Sequence, residues 1–226
     1  MSRSNPTVST KSPVTKYLER KNGVFSFWDK AIEERVAVAP PIKFCFLDAT
    51  AMVDGYNKPR KSGIRSNEIT WGNEPVKVVY NSTGEVIAEG LYKEIKATVK
   101  TAGGRYTKVV YGLDSNLETI QIKFSGAALM AWGDFEKKTG RANLEAAGAM
   151  VVITSMVEKE AGDPASAVPV FEMQKCTADM DEAADKADRE LQEYFTARSA
   201  NAAAKAPAFS GPVNDPEGEE SDDVPF

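Results

Sequence analysis

From Ile42 onward the chain consists mostly of short apolar runs of strand type, interrupted by one clear helix, and this order limits the folds available to it. IKFCFLDATAMV (42–53) is rich in apolar and aromatic residues and reads as a long central strand. GYNKPRKSGIR (55–65) follows and reads as a loop from its Gly, Asn and Pro. VKVVY, the turn NSTG and EVIAEG read as a hairpin. LYKEIKATVK (91–100) fits two periods: Leu91, Ile95 and Val99 have helical spacing, while its place among β segments also permits a strand. RYTKVVY and LETIQIKF follow, and in the second Ile120, Ile122 and Phe124 alternate onto one face. A helix comes next, with Ser125 as the expected N-cap, Leu129, Trp132 and Phe135 on one stripe, and Gly140 at its end. AMVVITSMV and VPVFEMQK then read as two further strands, the second near an edge because of its Pro.

Several strands, one helix and two more strands is the order of an OB-type Greek-key barrel, whose helix lies between its third and fourth strands. The expected fold is therefore mainly β with helices: a decorated OB-type barrel, a C-terminal helix and a disordered acidic tail. Residues 1–13, rich in Ser, Thr and Pro, are expected to form a disordered arm and 14–176 the barrel domain. In VFSFWDKAIEERV (24–36), Phe25, Phe27 and Trp28 are expected to pack on the body. Residues 177–199 carry the helix, with Asp179 and Glu182 at capping-box spacing and a thin stripe of Met180, Ala184, Ala187, Leu191 and Phe195. That stripe suits docking on the barrel better than a coiled coil. Residues 200–226 shift to Ala, Pro, Gly and acid, too little apolar surface to fold.

Composition removes several function classes. There is no histidine, so neither a histidine-activated nucleophile nor a histidine metal ligand is available. Cys45 and Cys176 share no motif and cannot alone build a zinc site, and their scarcity fits a reducing cytoplasm. No stretch approaches the ~20 apolar residues of a membrane helix, and the N-terminus lacks a signal-type apolar run. Glu94-Ile95-Lys96, with Asp48 and Asp54 upstream, has the Glu-x-Lys form that some nucleases use for magnesium. Glu19-Arg20-Lys21 and Glu136-Lys137-Lys138 repeat it, so the pattern is cheap in this chain. No enzyme activity, metal or cofactor is expected.

The net charge of −5 hides an asymmetry: residues 1–110 sum to +7, residues 111–210 to −6, and residues 211–226 to −6. A basic half joined to an acidic tail points to a polyanionic ligand and an internal competitor for it. Unpaired nucleic acid needs cations for its phosphates and flat rings for its bases. The candidates are Tyr56, Lys58, Arg60, Lys61 and Arg65, with Trp71 close behind; Tyr92, Lys93, Lys96 and Lys100, whose lysines share a face if the segment is helical; and Arg105, Tyr106 and Lys108. Tyr56, Trp71 and Tyr106 are the stacking candidates, whereas Tyr80, Tyr111, Phe44 and Phe46 read as core.

The sequence ends EGEESDDVPF. An exposed terminal aromatic beside a carboxylate suits a partner pocket with a basic group at its mouth. Asp222, Asp223, Pro225 and Phe226 resemble the acidic tip of bacterial single-stranded DNA-binding proteins, with Val224 a conservative departure from the usual Ile. The larger body and acidic end look closer to the bacteriophage members of that class. The resemblance covers these five residues and the acidic stem before them; it does not extend into the body. It implies non-sequence-specific binding and protection of single-stranded DNA in replication, recombination and repair. It also implies recruitment of partner proteins through Asp222–Phe226, in the cytoplasm of a bacterial host. Without DNA, the tail is expected to occupy the basic groove. The alternative reading is a strand-annealing or recombination-mediator protein acting as an oligomer, and a third is a structural adaptor with a solubility tail.

Overall fold

A computed structural model describes residues 11–70, 72–159 and 166–205. Residues 1–10 of the expected arm over 1–13, Trp71, and the acidic tail with Asp222, Asp223, Val224, Pro225 and Phe226 lie outside the described residues. The strands are β1 (Lys16–Lys21), β2 (Val24–Asp29), β3 (Glu34–Val38), β4 (Ile42–Asn57), β5 (Ser62–Ser66), β6 (Pro75–Tyr80), β7 (Val86–Leu91), β8 (Gly104–Asp114), β9 (Thr119–Ser125), β10 (Ala149–Val157) and β11 (Val168–Lys175). The helices are α1 (Tyr92–Ala102), α2 (Ala127–Thr139), α3 (Arg141–Leu144) and α4 (Ala178–Lys205).

All eleven strands join one mixed sheet with the path β3-β2-β1-β9-β8-β4-β5-β6-β7, and β10 pairs both β4 and β11. β4 is the spine. One edge pairs with β8 along Phe44–Gly55, and the other pairs first with β10 and then with β5. The sheet is open rather than a closed barrel: hydrogen bonding stops at β11, and β1 takes the remaining edge of β9 in parallel. A register shift between Phe46 and Asp48 re-phases the alternation. Phe44, Phe46, Ala49, Ala51 and Val53 thereby all point to the inner face.

Three apolar clusters follow. The inner cluster holds Phe44, Phe46, Ile120, Ile122, Phe124, Val151 and Ile153 beneath α2, with the Trp132 ring stacked 5.3 Å from Phe124. A second lies on the outer face, where Met180, Ala184, Ala187 and Leu191 of α4 cover Cys45, Leu47, Val109, Tyr111 and Val152. Burial pushes the Cys45 thiol up to about 12, with neighbouring Cys176 and Asp181 adding to the shift. A third fills a lobe made by β5–β7 and α1 around Val53, Ile64, Val76, Val78 and Val99.

Several expectations change. The expected loop over 55–65 is a tight hairpin, β4 and β5 flanking the turn at Lys58–Lys61. Gly55 belongs in β4 because a Cβ there would sit 2.3 Å from the Gly103 carbonyl oxygen. The ambiguous 91–100 segment is helical, and Gly103 in the left-handed conformation stops it. The N-cap of α2 is Gly126 at φ 59, where a left-handed residue is needed, rather than Ser125. α4 is capped by Thr177, whose hydroxyl accepts the Met180 N–H at 3.3 Å, rather than by Asp179. Residues 16–38 form three strands. Within them Phe25 is buried as expected, but Trp28 is 55% exposed on the outer face. Among the described residues, no helix is long and apolar enough to cross a membrane.

Candidate nucleic-acid interface

Directly opposed residues of neighbouring strands share a face. Asp54 is opposite Arg65 of β5 on one side and Arg105 of β8 on the other. Tyr56, two residues further along β4, lies on the same face and is 55% exposed. Lys123 of β9 is opposite Val109 of β8, again on this outer face. Beyond β9, alternation places Tyr17 and Glu19 of β1 there, and Trp28 opposite Arg35 on β2 and β3. One sheet surface therefore carries cations at Arg35, Lys123, Arg105 and Arg65 and rings at Trp28, Tyr17 and Tyr56.

Asp54 sits amid these cations. Its carboxylate oxygens lie 3.5 Å from Arg105 Nε and 3.6 Å from Lys123 Nζ, and Thr107 Oγ1 donates to it at 2.8 Å. Lys123 also lies 3.9 Å from Glu19, and Arg35 pairs with Glu19 at 3.1 Å. The Arg105 side chain remains 67% exposed. Arg20 of β1, directly opposite Phe25, lies on the other face of the sheet and donates to the Ala167 carbonyl. Burial, and then the charge of Arg105, pull its guanidinium below the usual arginine range.

Next to this track, the end of α4 rests on the sheet. Phe195 meets the Tyr111 ring edge-on at 5.2 Å. Glu68 holds the contact from beneath: it accepts from Tyr111 OH at 2.6 Å and Thr50 Oγ1 at 2.8 Å, and pairs with Arg198 at 3.3 Å. Burial lowers the Arg198 pKa, but Glu68, with Tyr194 and Tyr111, raises it and the net shift is upward. Burial and the Glu68 charge together raise the Tyr111 pKa.

The candidates from sequence divide between two surfaces. Tyr56, Arg65 and Arg105 come together on the outer face. α1 covers the inner face of the lobe with Tyr92, Ile95 and Val99. Its exposed Lys93, Lys96 and Lys100, spaced three and four apart on one helical side, therefore line a different surface. Tyr92 and Tyr106 are half-buried and pack on each other at 4.7 Å. Lys108 points inward from β8 and lies 3.9 Å from Glu136. Arg60 is bonded to Glu85 and lies 4.5 Å over the Tyr80 ring, while Lys58 and Lys61 are exposed in the turn. Tyr17 and Lys123 carry no expectation from sequence, and Trp28 only that of packing on the body. For Lys123 the signal was present, since it alternates with Ile122 and Phe124. Asp48 is bonded to Arg141 at 2.8 Å, and no three metal-ligating side chains converge among the described residues. No protein-family model, curated protein or solved structure matches the chain.

Proposed function

We propose that the protein binds single-stranded DNA without sequence specificity, protects it during replication or recombination, and recruits partner proteins through Asp222–Phe226. The observation that carries this reading is the outer sheet face, where exposed rings at Tyr17, Trp28 and Tyr56 share a surface with Arg65, Arg105 and Lys123. Cations track phosphates and rings stack on bases without regard to sequence.

The topology supports an OB-type body held open. The path β9-β8-β4-β10-β11 has α2 between its third and fourth strands in chain order, β9 and β10. The gap between the path ends, β9 and β11, is bridged by the Phe124 and Phe171 rings at 5.5 Å. In OB folds, oligonucleotides lie on the face of the second and third strands and against the loop joining the first two. Here those parts are β8, β9 and the lobe of β5–β7 and α1.

α4 runs to Lys205, and the six carboxylates of 211–226 follow it closely in sequence. Tail and strand compete for the same cations, and bound DNA frees the tip for partners. The test is anisotropy titration of labelled oligo-dT at several salt concentrations, using the full chain, a chain lacking 211–226 and a duplex control. Tighter binding on truncation, most at low salt, and preference for single strands are expected. If even the truncated chain ignores oligo-dT in dilute buffer, the proposal fails.

A further inference from the structure

Beside the cationic track lies a hollow of about 220 Å³, between the Tyr194–Arg198 turn of α4 and the outer surface of β1, β8 and β9. That is below the ~300–1,000 Å³ of sites that enclose a drug-sized ligand, so it suits one protruding group of a larger ligand. Tyr17, 48% exposed, and Tyr194 line it, with Lys123 and Arg198 contributing cationic groups.

Its polar groups are oriented by the Glu68 network. Tyr111 has one hydroxyl proton and donates it to Glu68, so its oxygen can only accept. It accepts from Gln121 Nε2 at 3.0 Å. That bond turns the amide nitrogen toward Tyr111, and no donor from the described residues meets Gln121 Oε1, which stays open to solvent. Gln121 is only 6% exposed and lines the hollow. A carbonyl oxygen open to the hollow with no protein donor, on a residue held in place by its Tyr111 bond and beside aromatic lining, can accept from a flat ligand that brings its own N–H.

We propose that this hollow seats one unpaired nucleobase of the bound strand, an inference that rests on the single-strand reading above. A base N–H donates to Gln121 Oε1, the Tyr17 and Tyr194 rings flank the base, and Lys123 and Arg198 lie near its phosphate. Every nucleobase carries a ring or exocyclic N–H, so the seat tolerates all four. It adds a salt-independent part to an otherwise electrostatic affinity.

The test uses the full chain and oligo-dT carrying 5-iododeoxyuridine, cross-linked by light and mapped by mass spectrometry. Adducts on Tyr17 or Tyr194 are expected; adducts confined to other residues overturn the seat while leaving strand binding intact. Gln121→Met fills similar space without the amide. It should weaken oligo-dT binding about two- to tenfold with an unchanged salt slope. Wild-type affinity in a folded Gln121→Met protein would refute the seat, and if that variant does not fold, the cross-link map decides. Absence of any oligo-dT binding by the full and tail-deleted chains rejects the single-strand reading itself, and the seat with it.

Discussion

Asp54→Asn isolates the electrostatics of the outer face, because it changes charge with little change in shape. The Asn side-chain oxygen can still accept the Thr107 hydroxyl, now at 2.8 Å from Asp54, while the contacts to Arg105 at 3.5 Å and Lys123 at 3.6 Å lose their charge. A phosphate held on the far side of Arg105 would lie roughly 6 Å from the carboxylate. Repulsion at that distance is about 0.7 kcal/mol in bulk water and larger in the lower dielectric of a protein surface. Its removal predicts oligo-dT binding tighter by threefold or more. If the freed cations neutralise one more phosphate, the salt slope steepens by about 0.7. Stability should move the other way, by about 0.2–1 kcal/mol for each ion pair lost. Anisotropy titrations at low and moderate salt would measure the first effect, and urea melts the second. A folded Asp54→Asn protein that binds oligo-dT no better than wild type would show that the strand does not run along Arg65, Arg105 and Lys123.

Three further outcomes follow from the packing. Leu191→Ala, at the fully buried centre of the α4 seam, should cost about 2–5 kcal/mol in urea unfolding, and a loss under about 1 kcal/mol would mean α4 is not docked. Gly55→Ala places a methyl group 2.3 Å from the Gly103 carbonyl oxygen and 2.8 Å from the Gly104 Cα, both backbone. A loss of about 1–3 kcal/mol is expected, and an unchanged melt would refute the close approach of β4 and β8. The folded Cys45 thiol titrates near 12 rather than 9.0, so above pH 9 the unfolded chain sheds this proton first. Its contribution to stability is complete below pH 9 and is lost as pH climbs toward 12. Urea melts between pH 9 and 10 should therefore fall more steeply for wild type than for Cys45→Ala, and parallel curves would contradict the raised value.

Elements set by local chemistry were legible in the sequence. The 75–91 hairpin, the end of α2 at Gly140, the last two strands and the apolar stripe of α4 all follow from periodicity and turn residues. Elements defined by distant partners were not. β1 to β3 are short and charged, and β1 owes its place to a parallel pairing with β9 that no local pattern announces. The β4–β5 hairpin hid behind Gly55, Asn57 and Gly63, which normally mark loops but here allow close backbone approach or lead into the turn. The site divides the same way. Tyr56, Arg65 and Arg105 stood out by composition, but their convergence with Lys123, Tyr17 and Trp28 depends on cross-strand register.

The parallel seam between β1 and β9 also bears on how the chain is made. Lys16 must wait for Ile120 to emerge from the ribosome before its strand has a neighbour on that side. Until then Leu18 and Phe25, destined for the inner cluster, lack the β9 and α2 side chains that cover them, and the β1–β3 ribbon has no second layer to pack against. Closing so long an interval makes this seam a late and slow event. The early surface on which Tyr17 and Trp28 sit is thus among the last to be fixed in position.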